Sequence, residues 1–417
     1  MTFTALHARK QARRGVDEVA SDIQVAATGR LSGGAFAGMV LLLTVVFAYI
    51  ISVLGFMAGI SLRGGVFPLG IAVAVVAANA VCRPVRADLT RGILVALGVI
   101  ALSIIIATLT IDYSYDGLVY HQEIIAFLCN GWNPLRQAYP SGAGAETVSV
   151  WALHYAKGIE IAQASVVAFI GKIEAGKGIN FILTSGTAFI VFDFIRTRRS
   201  ILSSGKVLLI TIAAIANPVV CEQILTYYID FYKYLYLLVL FAGMVDLDSE
   251  RSERRQFGAV LIAAAVVMSV ATKFNFFFEA GLCGVAAVIW AAATGRRRLR
   301  RRLLIIGSGA FALAILLAFH PYATNLMRAG HPLYPLMGEG AVDIMSGNTT
   351  EMFRGHCRFV NFFRSLLIPS LQIDVDQRNG GFTMLMPLIL LLTLINAWRI
   401  RREVKGTVWY AAALCLG

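Results

Sequence analysis

Two aspartates, three tyrosines and a histidine stand between residues 112 and 121, directly after an apolar run of membrane length. Tyrosines alone are typical of the belt that a membrane protein presents to lipid headgroups. A carboxylate beside hydrocarbon is costly, however, and is usually kept for a functional reason. In a partly dry site its pKa rises, and it can then act as a general base. We therefore predict that Asp112 and Asp116 are catalytic and that Tyr120 and His121 bind substrate.

Three more charged residues lie at the ends of later apolar runs. Asp230 is predicted to share the catalytic site with Asp116, by orienting an acceptor hydroxyl or by binding a divalent cation, Mg²⁺ or Mn²⁺, whose involvement stays open. Lys273 is predicted to bind a phosphate as a point charge, with snorkelling to the membrane surface as the alternative. For Glu222, helix capping is as good an interpretation as substrate binding.

The segment 320–335 is rich in histidine, proline and tyrosine. Proline stiffens a segment, and His, Arg and Asn side chains donate hydrogen bonds to phosphate or sugar oxygens. An ordered loop lying against the membrane is the alternative. The predicted substrate-binding residues of this segment and of the residues that follow it are Asn325, Arg328, His331, Tyr334, Arg354 and Arg358. Trp132, in an earlier loop, is predicted to stack on the face of a sugar.

The elements that must position these residues are membrane helices. The 417 residues are 58% hydrophobic, with a mean hydropathy of +0.72, whereas soluble domains are nearer half apolar. We therefore predict an all-α polytopic membrane protein. The apolar runs lie at 35–60, 65–82, 92–110, 178–196, 201–218, 229–246, 256–272, 279–294, 303–320 and 382–399. Residues 401–417 predict the start of a further, truncated helix. The sequence has no Walker A, GxGxxG, HExxH or GxSxG motif, which argues against ATP hydrolysis and dinucleotide cofactors.

Basic clusters occupy every second connection between these runs, as the positive-inside rule expects. They predict a cytoplasmic basic tail over 1–34, and they account for the net charge of +13 without nucleic-acid binding. The opposite connections include two long ones, 111–177 and 321–381, which we predict to be extracytoplasmic and to contain interfacial helices. Cys129 and Cys357 fall in these loops, so a disulfide between them is an open alternative to free thiols.

This layout resembles the GT-C superfamily of integral membrane glycosyltransferases, in particular poorly characterised bacterial members found among polysaccharide-assembly proteins. Residues 116–121, Asp-Gly-Leu-Val-Tyr-His, are similar to an Asp-x-x-x-Tyr-His motif in the family's first outer loop. Asn325 and the run 330–335, Gly-His-Pro-Leu-Tyr-Pro, are similar to a motif of its second, and Tyr228-Ile229-Asp230 fits as well. The resemblance implies a GT-C-like core over 91–400, preceded by two transmembrane helices in 35–90. Gly117 stands where several branches carry a second acid.

The resemblance implies transfer of a sugar from a polyprenyl-phosphate donor to an acceptor glycan or lipid, on the extracytoplasmic face of a bacterial inner membrane. Asp116 would be the general base of an inverting reaction, and Lys273, Arg328 and His331 would stabilise the leaving phosphate. Two alternatives stay open. A lipid-linked polysaccharide flippase would need polar residues along a path through the membrane. A glycan polymerase or ligase would depend on loop arginines such as Arg354 and Arg358.

Overall fold

The computed structural model describes residues 31–140, 146–199, 201–341, 355, 357 and 359–361, and every regular element within these ranges is helical. A π-helical turn, Gly117–His121, leads into α4, and a 3-10 turn, Ile173–Lys177, leads into α7. The α-helices are α1 Gly33–Met57, α2 Val66–Cys82, α3 Arg86–Thr108, α4 Gln122–Cys129, α5 Glu146–His154, α6 Gly158–Ile170, α7 Gly178–Arg198, α8 Ser204–Ile215, α9 Pro218–Gln223, α10 Phe231–Asp246, α11 Ser252–Thr272, α12 Phe274–Ala293, α13 Arg297–Leu317 and α14 Tyr322–Ala329.

Helix α1 lies inside the bundle. Its cap residue Ser32 accepts a hydrogen bond from the Ala35 backbone N–H at 3.0 Å. The 25 residues that follow are apolar on all faces and pack against α2, α3, α6 and α7, with Phe36 and Met39 fully buried. A helix without a polar face must be covered on all sides or face lipid. Helix α1, the first of the two helices predicted over 35–90, therefore belongs to the buried interior of the bundle. The division into two preceding helices and a GT-C-like core stays a prediction.

Within the described residues, five segments are long and apolar enough to cross a membrane: α1, α3, Ile173–Arg198, α11 and α12. A sixth is added if α13 and α14, which meet at 57°, form one broken span. The prediction of a multi-pass membrane protein is thereby confirmed. The predicted apolar run 382–399 and the predicted start of a further helix at 401–417 lie outside the described residues. The other predicted runs all coincide with helices. Three of these helices, α2, α8 and α10, are shorter, with 17, 12 and 16 residues, than the roughly 20 residues typical of a membrane span.

Charged side chains pair inside the bundle at the end where the arginine clusters meet, which we call the arginine end. Arg254 Nη1 of α11 lies 2.5 Å from Asp193 Oδ2 of α7, and both side chains are buried. Arg198 Nη2 donates to Asp246 Oδ1 of α10 at 2.6 Å, and the Ser32 hydroxyl donates to Asp193 Oδ1 at 2.7 Å. Buried charges are tolerated only when they are paired in this way. The network therefore ties α1, α7, α10 and α11 together.

The connections at the opposite end of the helices, which we call the loop end, include residues 58–65, 109–140, 146–177, 216–230, 273 and 318–341. Lys177 is fully buried there, pairs with Glu174 at 2.6 Å and donates to the Thr110 carbonyl at 2.7 Å. Asn180, in the first turn of α7, donates to the carbonyls of Ile224 and Thr226 at 2.9 and 2.7 Å. These contacts fix the connections 109–140 and 216–230 to the start of α7.

Candidate functional site

Asp112 anchors the segment that carries the predicted base. Its Oδ1 accepts from the Ser114 N–H at 2.8 Å, and its Oδ2 accepts from the Tyr227 N–H at 2.9 Å. The side chain is 1% exposed. A buried carboxylate whose two oxygens both accept backbone N–H groups is well suited to hold two loops together. We therefore assign Asp112 a positioning role, in place of the catalytic role expected from the sequence.

Gly117 is required by the same arrangement. A Cβ at this position would lie 2.0 Å from Asp112 Oδ2 and 2.3 Å from Ser114 Oγ, so any side chain here would force these two groups to move. The Gly117 N–H also donates to Ser114 Oγ at 3.2 Å. Packing thus explains why this chain has glycine after Asp116, where the resemblance would allow a second acid.

Asp116 lies at the start of the π-helical turn and is only partly buried. The Tyr120 hydroxyl, one turn later, donates to Asp116 Oδ2 over 3.4 Å. Burial raises the pKa of Tyr120 well above its ordinary value, and the carboxylates of Asp116, Glu160 and Asp230 raise it further. Burial and the charge of Asp116 likewise raise the pKa of Tyr155 to about 12. Two phenols therefore stay protonated beside Asp116 and can donate hydrogen bonds to it or to a bound sugar.

Asp230 and Lys273 form an ion pair between the start of α10 and the junction of α11 with α12. Both side chains are about one-third exposed. Burial alone would raise the pKa of Asp230, but Lys273, His121 and Lys233 together hold it below the ordinary value. Asp230 is therefore ionised at neutral pH, and its charge compensates that of Lys273. Lys233 is paired in turn with Glu279 at 3.1 Å.

The rings of Tyr120 and His121 are too buried to stack on a sugar. Tyr120 is 8% exposed, and its ring packs 4.1 Å from the His121 ring and 5.5 Å from that of Trp151. His121 is 1% exposed, and its Nδ1 lies 2.8 Å from Glu160 Oε1 on α6. The hydroxyl of Tyr120 is its functional group here, because both faces of a buried ring are unavailable for stacking.

A polar clasp joins the end of α5 to α14. His154 Nδ1 lies 2.7 Å from Asn325 Oδ1, and Asn325 Nδ2 donates to the carbonyls of His154 and Tyr334 at 3.0 and 2.8 Å. The rings of His154 and Tyr334 meet edge to face, with centroids 4.7 Å apart. Burial lowers the pKa of His154, although the hydrogen bond to Asn325 acts in the opposite direction. Asn325, which we predicted to bind substrate, instead holds the two long connections together.

The clasp brings together basic groups from both connections. Lys157 lies three residues after His154, is 2% exposed and donates to the carbonyls of Leu153 and Tyr155 at 3.1 and 2.7 Å. Burial lowers the pKa of Lys157 to about 7, a drop that the Glu160 carboxylate partly offsets. His320 lies within electrostatic range of Lys157, His154 and Arg328, and Arg328 itself is exposed. We call His154, Lys157, His320 and Arg328 the basic group of the site.

Other predicted residues lie apart from these contacts. Trp132 is 5% exposed, donates to the Ala138 carbonyl at 3.1 Å and packs edge to face on Phe127 and Tyr139. It is therefore a core residue, since neither ring face is free for a sugar. His331 Nδ1 accepts from the Leu333 N–H at 3.1 Å and so stabilises a turn. Glu222 is partly buried on α9. Arg354 and Arg358 lie outside the described residues, and Cys129 and Cys357 are both free thiols in the structure.

Sequence reasoning missed Glu160, His154, Lys157 and Tyr155. A signal was available for three of them, because the run 154–157, His-Tyr-Ala-Lys, interrupts a long apolar stretch just before α6. Glu160 had a weaker signal, as the one acid in the first turn of that apolar helix.

Comparison of this chain with protein-family models, with curated proteins and with solved structures returns no match. In the part of the chain that the structure describes, no three or more His, Cys, Asp or Glu side chains group closely enough to hold a metal ion. The metal-binding role considered for Asp116 and Asp230 stays a prediction.

Proposed function

We propose that this protein is a membrane glycosyltransferase that moves a sugar from a polyprenyl-phosphate donor to an acceptor glycan or lipid, with a GT-C-like arrangement of its helices. The observation that carries the proposal is Asp116, a partly exposed carboxylate next to a phenol hydroxyl and at the same end of the bundle as the basic group. A base and a cation at one membrane interface, here Asp116 and Arg328, are the two parts that such a transfer requires.

Asp116 is the general base in this proposal. Asp112 is buried and accepts hydrogen bonds from backbone N–H groups, whereas Asp116 is partly exposed beside the Tyr120 hydroxyl and can therefore meet an acceptor hydroxyl. It removes the proton from the acceptor hydroxyl as that oxygen bonds to the sugar carbon and the bond from this carbon to the phosphate oxygen breaks. Tyr120 and Tyr155 then donate hydrogen bonds around the carboxylate.

The leaving polyprenyl phosphate gains charge as the bond breaks, and cations should stabilise it. The sequence predicts this role for Lys273, Arg328 and His331, but the charge of Lys273 is compensated by Asp230. Within the basic group, Arg328 offers an exposed guanidinium, whereas burial lowers the pKa values of Lys157, His154 and His320. We therefore place the phosphate on the basic group, with Arg328 as the main contact.

The arginine clusters predict which side of the membrane the candidate site faces. If the arginine end faces the cytoplasm, as the positive-inside rule predicts, the loop end faces away from it. Nucleotide sugars are confined to the cytoplasm, so the donor at the loop end would be carried by a lipid. A bacterial inner membrane fits this arrangement.

The test is transfer by the purified protein in liposomes, with a panel of radiolabelled polyprenyl-phosphate hexoses and pentoses as donors and an envelope extract as the acceptor source. Asp116→Asn should lower transfer by about 100-fold or more, the usual contribution of a general base. Asp248→Asn is the matched control, because Asp248 pairs with Arg296 at the arginine end and should not affect transfer. Full transfer by Asp116→Asn would refute the assignment. Lipid translocation without transfer would point to a flippase.

A further inference from the structure

Glu160 and His121 form a buried ionisable pair that the proposed reaction does not yet use. Glu160 lies in the first turn of α6 and is 2% exposed, and His121 ends the π-helical turn and is 1% exposed. His121 Nδ1 and Glu160 Oε1 are 2.8 Å apart. Among the described residues, His121 Nε2 and Glu160 Oε2 are buried and have no hydrogen-bond partner. Buried polar atoms almost always have partners, so these two atoms call for a functional explanation.

The pair lies directly behind the proposed base. The His121 ring packs 4.1 Å from the Tyr120 ring, and the Tyr120 hydroxyl contacts Asp116 Oδ2 at 3.4 Å. Asp230 lies within electrostatic range of His121. A side chain that moves His121 must therefore also move Tyr120, which is the hydrogen-bond partner of Asp116.

The chemistry of the pair sets the position of one proton. With the Glu160 oxygen as the acceptor, the 2.8 Å contact places the proton on Nδ1 of His121. In a neutral imidazole, the lone pair is then on Nε2, which becomes the proton-accepting atom. Carboxylates that orient a histidine through Nδ1 do this in many catalytic sites, and they act through the histidine without touching the substrate.

We propose that Glu160 is a positioning residue of the transferase site: it holds His121 in the tautomer with the proton on Nδ1, and so fixes the orientation of the imidazole that packs against Tyr120, the hydrogen-bond partner of Asp116. This inference rests on the proposed function for the reaction it serves. The tautomer itself does not depend on that function.

The first test is histidine-selective ¹⁵N NMR of the full chain in lipid nanodiscs. The chain has six histidines, and loss of one signal in His121→Gln assigns the signal of interest. At alkaline pH, where imidazoles are neutral, wild-type His121 should carry its proton on Nδ1. Glu160→Ala should shift the proton towards Nε2, whereas Glu160→Gln, whose carbonyl can still accept, should keep it on Nδ1. Glu123→Ala, which removes a carboxylate near Tyr139 instead, should leave the His121 signals in place.

An unchanged His121 tautomer in Glu160→Ala would overturn the proposal. Should Glu160→Ala fail to fold, Glu160→Met, which fills a similar volume, takes its place. In the transfer assay, Glu160→Ala should lower kcat by about tenfold with little change in KM, and Glu160→Gln should recover most of the loss. A kcat for Glu160→Ala equal to that of Glu123→Ala would also overturn the positioning role. If the wild-type protein transfers no sugar at all, the proposed function fails, while the NMR result still decides the role of Glu160 towards His121.

Discussion

Gly117→Ala tests whether the anchor at Asp112 positions the candidate site. The new Cβ would lie 2.0 Å from Asp112 Oδ2, whereas an ordinary van der Waals contact begins at 3.4 Å. The carboxylate must therefore move by more than about 1 Å to make room for the methyl group. That movement breaks its 2.9 Å hydrogen bond to the Tyr227 N–H. Hydrogen bonds to charged groups contribute roughly 1.5–3 kcal/mol, and a buried N–H left without a partner adds to the loss. We expect Gly117→Ala to lower the free energy of unfolding by about 2–4 kcal/mol.

The assay is unfolding of the purified protein in detergent, followed by temperature and by denaturant. Gly98→Ala is the matched control, because a Cβ there meets nothing within 4 Å on an exposed face of α3. It should be neutral or slightly stabilising, since alanine is a better helix former than glycine. In the double variant Asp112→Ala/Gly117→Ala, the second substitution should add much less than it costs alone, because the two residues are in contact. A Gly117→Ala protein as stable as Gly98→Ala would refute the account of the anchor.

Two further predictions concern buried charges. Arg254→Met should destabilise the protein by about 3–5 kcal/mol, because it leaves the buried Asp193 carboxylate without its ion-pair partner. The double variant Arg254→Met/Asp193→Leu should recover most of that loss. Thermal unfolding measures both variants, and Arg300→Met, at an exposed arginine, is the control. The pKa of Lys157 is lowered from its ordinary 10.5 to about 7. Between about pH 7 and pH 10.5, the unfolded chain therefore holds a proton on Lys157 that the folded protein has released. The free energy of unfolding should rise with pH across this range, because the unfolded state binds more protons. Lys157→Met should remove a slope approaching about 1.4 kcal/mol per pH unit from the unfolding free energy across this window, and an unchanged slope would contradict the burial of a neutral amine.

The membrane class and the positions of the helices were predictable because hydropathy is a local property. A run of apolar residues must leave water whatever its neighbours are, and each predicted run in the described part of the chain coincides with a helix. Helix α1 shows the limit of this reasoning. Its composition predicted burial in either lipid or protein, and only packing against α2, α3, α6 and α7 distinguished the two.

The sequence by itself determined that this is an all-helical membrane protein and that chemically capable residues such as Asp116, Asp230 and Lys273 follow helix ends. Tertiary structure decided which of these side chains are paired. It set His121 against Glu160, 39 residues away, and His154 against Asn325, 171 residues away. It also buried Asp112 under a backbone N–H from Tyr227, which removes it from the candidates for proton transfer. The physical reason is that a side chain's charge and hydrogen-bonding groups are set by its type, whereas its solvation and its partner are set by residues distant in the chain.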